Sequence, residues 1–171
     1  VRQQFLGALI GAAFGTVFVL VNSGDPLPAA AGWVLRGLAV LALAAVVVVG
    51  FRAGGRPTLD DRPMFGPSYR VIVIGEVVLL IAGFFVLSLL DAPVQANVAW
   101  IVTIVGLHFV ALASAWKTRP ILVVGAVLTV LGVAGLALLG SAALPWVPFI
   151  SGTLSGVTLL GGSLYGVRRE G

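Results

Sequence analysis

Cysteine is absent from the 171 residues, and histidine and methionine occur once each. Without cysteine there is no disulfide, no thiolate metal site and no thiol nucleophile, although the absence identifies no compartment. A single histidine cannot supply both axial ligands of a bis-histidine haem. Charge is the larger deficit, since only 9% of the residues are Asp, Glu, Lys or Arg, whereas soluble domains carry about a quarter. A chain so poor in charge cannot build a water-facing exterior. No phosphate-binding glycine loop, nucleophile elbow or paired-carboxylate motif is visible, which makes an enzyme the least supported class and calls for no cofactor and no metal. Val1 stands where an initiator methionine is expected, which points to an alternative start codon or a trimmed end.

Apolar residues fill the gap: 60% of the chain is hydrophobic, mean hydropathy is +1.15, and glycine is abundant at 23 residues. The solvent for most of this protein is therefore hydrocarbon, in which only a helix or a closed barrel satisfies its own backbone. A spanning helix needs about 20 mostly apolar residues. Six such runs follow one another: Phe5 to Asn22, Gly32 to Phe51, Tyr69 to Leu90, Asn97 to Trp116, Pro120 to Gly140 and Pro145 to Val167. The breaks carry turn chemistry, notably Asn22-Ser23-Gly24-Asp25-Pro26, Gly54-Gly55-Arg56-Pro57, Asp91-Ala92-Pro93 and Arg119-Pro120. The reading is an all-α membrane bundle of six transmembrane helices forming one domain over 1–171. A signal peptide ending near Pro28-Ala29-Ala30-Ala31 is the competing reading of the first run. That run exceeds the ~7–15 residues of a signal core, and its glycines suit helix packing.

Nine of the ten basic residues fall on one side of this topology: Arg2, Arg52, Arg56, Arg62, Arg70, Lys117, Arg119, Arg168 and Arg169. The opposite loops carry Asp25 and Asp91 and no Lys or Arg. Basic residues near span ends are retained in the cytoplasm, so both termini are expected there, in the plasma membrane of a bacterium. Trp33, Trp100 and Trp146 fall near the outer ends, and Trp116, Tyr69 and Tyr165 near the inner ones, as two interfacial belts would require. The net charge of +4 then follows from topology and requires no nucleic acid.

Small residues recur at helical spacing. Gly7, Gly11 and Gly15 in the first span, Gly125, Gly132 and Gly135 in the fifth, and Gly152, Gly156, Gly162 and Gly166 in the sixth predict close helix packing, within the bundle or in a homo-oligomer. Ser151, Thr153, Ser155, Thr158 and Ser163 make the sixth span the richest in hydroxyls. Such groups usually bond their own backbone, and a polar pathway along the helix is the functional alternative.

Three ionisable residues lie within spans: Arg36, Glu76 and His108. A charge at that depth costs a few kcal/mol or more unless it is paired or wet. Counting about 1.5 Å per residue puts Glu76 roughly 10 Å and His108 roughly 12 Å above the inner boundary. They are thus nearly level on consecutive antiparallel helices, within reach of one another across a pair. Arg36 lies near the other boundary and either snorkels outward or points down to Glu76.

The stretch from Tyr69 to Gly125 resembles a family of uncharacterised bacterial multi-helix membrane proteins. The likeness rests on Tyr69-Arg70 with Glu76 in one helix, Val105-Gly106-Leu107-His108-Phe109 in the next, and Arg119-Pro120 with Val124-Gly125 opening a third. Where that family continues with Pro-Leu-Ala, this chain has Ala111-Leu112-Ala113. The resemblance carries no activity, but it implies that Glu76 and His108 belong to a recurring pattern. The functional expectation is binding or passage of a small solute or proton at Glu76 and His108. The alternative is a structural or accessory membrane protein that acts through helix contacts with a partner.

Overall fold

The computed structural model of the chain describes residues 3–52 and 66–169. Arg2, Arg56 and Arg62 lie outside that range. The fold is all-helical, with 87% of the described residues in helices and no strand among them. The helices are α1 (Gln3–Asn22), α2 (Ala29–Arg52), α3 (Pro67–Leu89), α4 (Gln95–Trp116), α5 (Arg119–Ala137) and α6 (Leu154–Arg169). With the turns preceding α6, six segments are long and apolar enough to cross a membrane. The chain is a multi-pass membrane protein.

Local chemistry sets the ends of these helices. Gly66 caps α3, and Pro67 follows at the first helical position, where its missing N–H costs nothing. Lys117 ends α4 in the left-handed region at φ 55°, and the Thr118 N–H closes on the Ala113 carbonyl five residues back at 3.1 Å. Helix α5 stops three residues short of the predicted Gly140, because the Leu138 N–H is shared by the carbonyls of Ala134 and Gly135 and the turn tightens.

The sixth span departs most from expectation. Instead of one α-helix from Pro145, it opens with a 3₁₀ turn (Leu144–Trp146), widens into a π-helical segment (Pro148–Thr153) and only then becomes α6. Pro145 and Pro148 lack the N–H donors that an α-helical register requires. At the end of the wide segment the Leu154 N–H still donates to Phe149, five residues back.

Contacts along the helices show an antiparallel arrangement. Ser23 meets Gly32, and Phe5 meets Gly50, between α1 and α2; Gly15 meets Gly156, and Gly11 meets Ser163, between α1 and α6. Gly106 meets Thr129, and Gly132 meets Thr103, between α4 and α5. The start of α1 and the end of α6 therefore share one side, called here the basic side. Two wings result. Helices α1, α2 and α6 enclose a cluster of Phe5, Ala12, Val19, Ala39, Val46, Leu160 and Val167. Helices α4 and α5 pack on each other and on the π segment around Val102, Leu128 and Leu159. Helix α3 is outermost, with α4 as its one substantial neighbour among the described elements.

Candidate functional site

The ionisable pair lies in the seam between α3 and α4. Glu76 Oε2 is 3.0 Å from His108 Nδ1, with side chains 19% and 11% exposed. The carboxylate is close to the ring nitrogen but off its N–H axis, so Nδ1 makes no well-aligned hydrogen bond. Phe109 packs edge-on to the imidazole, at 5.8 Å between ring centres. The expected pairing is present, but its place is the edge of the bundle rather than the centre.

The pair is the middle of three rungs. Toward the basic side, Tyr69 stacks on Trp116, with centroids 6.4 Å apart and planes within 10°. Toward the other side, the Trp100 indole lies on Gly83 and donates to the Leu79 carbonyl at 3.3 Å. Gly83 is four residues after Leu79, so its missing side chain uncovers the carbonyl that the indole reaches. Tyr69, Glu76 and Gly83 recur every seven residues, two turns of α3. Trp100, His108 and Trp116 recur every eight on α4. Gly83 and Trp100 escape sequence reasoning because a tryptophan near a helix end reads as an interfacial anchor.

The chemistry of the middle rung follows from its proton count. Holding one proton between them, the residues are either an ion pair or a neutral pair, and in both cases the seam has no net charge. Gain or loss of a proton leaves one uncompensated charge at membrane depth, the costly condition. No other titratable side chain lies between Gln95 and Trp116 on α4 or between Pro120 and Ala137 on α5, and α3 adds only Tyr69 and Arg70 near its start.

Arg36 belongs elsewhere. Its Nε donates to the Leu20 carbonyl at 3.0 Å, and its guanidinium lies over the Trp33 ring at 5.2 Å. Leu20 is in the last turn of α1, where carbonyls lack helical donors, and Arg36 supplies one. Of the two readings of Arg36, the structure takes the outward one.

The glycines occupy the other polar-rich region, between α1, α5, α6 and the π segment. A methyl group built on Gly15 would lie 2.7 Å from the Gly156 carbonyl oxygen, and one on Gly11 would lie 2.9 Å from Ser163 Oγ. Gly152 sits on Asn22, and Gly162 packs on Val124, whose nearest methyl would be 2.8 Å away. Gly125 packs on α4, and Gly135 on Ser151. Gly7 is half-buried, and Gly166 faces open space. Most of these glycines thus meet another helix of the same chain.

Hydroxyls concentrate in the same region. Ser23 and Thr153 share a hydrogen bond of 3.1 Å, Ser151 donates to the Leu131 carbonyl at 2.9 Å, and the Ser155 hydroxyl is buried with no protein partner. Asn22 donates to Phe18 at 2.9 Å, and Thr16, Thr103, Thr129 and Thr158 each bond a carbonyl four residues back at 2.8 Å. These groups fix helices, and none titrates. Among the described residues no three His, Asp or Glu side chains gather as a metal site would require. No protein-family model matches the chain, and no curated protein or solved structure is significantly similar to it, so the likeness of Tyr69 to Gly125 rests on its own residues.

Proposed function

We propose that this membrane protein takes up and releases a proton at Glu76 and His108, in the seam between α3 and α4. The 3.0 Å contact between the two side chains at membrane depth carries the reading. A carboxyl and an imidazole in contact can pass a proton between them and on to water, because each is chemically stable in both its protonation states. An excess or missing proton charges the seam, so proton occupancy bears directly on how firmly α3 is held. In a cell the basic side would face the bacterial cytoplasm, as the distribution of Lys and Arg argues. An impermeant thiol reagent should then label Asp25→Cys from outside and spare Lys117→Cys.

The test is a pH jump in weakly buffered detergent solution, read with an indicator dye. Wild type should exchange more protons per chain, up to two, than the double variant Glu76→Gln, His108→Leu, which lacks both groups, as pH crosses the range of free carboxylates and imidazoles. Identical proton counts would reject the proposal.

One observation favours an accessory role instead: α3 has a single substantial neighbour and leaves the rest of its face outward. On that reading Glu76 and His108 only set helix register. The double variant would then retain both its fold and whatever activity the protein supports in cells.

A further inference from the structure

The basic side of the α3/α4 seam gathers cations from three element ends. Arg70 follows Tyr69, and Lys117 follows Trp116, so the parallel stack of those two rings holds both residues at one end of the seam. Arg119 is the first residue of α5, two positions on. All three side chains are exposed, and none forms an ion pair with a described residue. The described carboxylates are elsewhere: Asp25 and Asp91 lie on the opposite side, and Glu76 lies within the seam. Helix α5 starts among these cations without a side-chain cap, which adds partial positive charge of the same sign.

We infer that Arg70, Lys117 and Arg119 form a binding surface for the phosphate of an anionic phospholipid. Location selects the partner, because residues that end membrane spans beside an aromatic stack sit at headgroup depth. There the abundant anion is the lipid phosphate, and basic pockets between helix ends are known to recognise it. Arginine offers a planar fork of donors to phosphate, and lysine offers a compact charge. The second basic cluster is a weaker candidate. It consists of Arg168 and Arg169 at the end of α6, and the Arg169 guanidinium already lies over the Tyr165 ring at 4.7 Å. Lipid phosphate at the first cluster would bridge α3 to the α4–α5 turn and reinforce the seam from its basic end.

Native mass spectrometry of the full chain in neutral detergent tests the inference, with equimolar phosphatidylglycerol and phosphatidylcholine added. Wild type should retain phosphatidylglycerol preferentially. The triple variant Arg70→Gln, Lys117→Gln, Arg119→Gln should lose that retention several-fold. A control with the same charge change, Arg52→Gln, Arg168→Gln, Arg169→Gln, should keep it. Should the first triple variant fail to fold by circular dichroism, Lys117→Gln alone should still lower retention about twofold or more. Equal loss in both triple variants would assign the effect to bulk charge and overturn the proposal, as would retention of both lipids alike. Displacement of the lipid by excess inorganic phosphate would replace the lipid with a free anion and overturn it too.

Discussion

The seam between α1 and α6 and the seam between α3 and α4 solve the same problem in opposite ways. In the first, glycine meets glycine, backbones touch, and the polar groups are hydroxyls that hold no charge at any ordinary pH. In the second, the contacts are made by side chains: an aromatic stack, an ionisable pair and an indole seated on a glycine. Lipid tails are as apolar as leucine, so association in a bilayer relies on close packing and hydrogen bonds rather than on the hydrophobic effect. Among the described residues the glycine seam contains no ionisable group, whereas the α3/α4 seam contains one ionisable rung, which the proposed function makes responsive to its proton count. Only 6% of the α3 span is buried, against 50% of the span containing α6. On the proposed function, the protein joins a fixed body to one helix whose hold depends on a proton.

Overfilling the glycine seam should break that comparison most severely. In Gly156→Leu the new side chain would collide with the Gly15 carbonyl and with Val19, and a loss on the order of 1–3 kcal/mol or more is expected from overpacking. Gly166→Leu, into open space, should leave the melting temperature in detergent unchanged. Equal effects of the two would mean that the glycine contact does not hold the body together.

The ionisable rung comes next. His108→Leu alone leaves a carboxyl unpaired at membrane depth and should cost about 1–3 kcal/mol, more if the charge persists. Adding Glu76→Leu should restore much of that loss, because two apolar groups need no partner. Thermal melting of the two single variants and the double variant measures the recovery. A double variant as unstable as the worse single one would show that the two residues act separately.

Smaller effects should follow at the third rung and at Arg36. A methyl group in Gly83→Ala collides with the Trp100 indole, which must leave the Leu79 carbonyl, at a cost of about 1 kcal/mol. The Trp100 fluorescence should change, measured with the other tryptophans replaced by phenylalanine. Arg36→Met removes the donor to Leu20 and should cost about 0.5–1.5 kcal/mol, with no influence on proton exchange at the α3/α4 seam.

Much of this architecture is legible in the sequence, for physical reasons. Six spans follow from run length, because bilayer thickness fixes how many residues a helix needs. The level of Glu76 with His108 follows from counting helix rise inward from Tyr69 and Trp116, two rings that the structure stacks. Glycine spacing marks the packing faces of α1 and α6 but cannot say that each is the other's partner. The outer position of α3 is illegible because short connections predict sequence neighbours, not how many further helices each touches. The π segment is hidden because Pro145 and Pro148 read as a loop boundary, while the broken register they introduce lies inside the span.

The single histidine gives the most direct test of the proton-exchanging pair. In protein labelled with ¹⁵N-histidine every imidazole signal arises from His108, so its protonation can be followed in detergent or bilayer without assignment. Proton exchange at the pair predicts that the His108 ring signals change reversibly as pH is moved between acid and alkaline, and that Glu76→Gln, which removes the carboxylate 3.0 Å away, alters that response. A His108 signal that never changes with pH, or one whose response is the same in wild type and Glu76→Gln, would contradict the account.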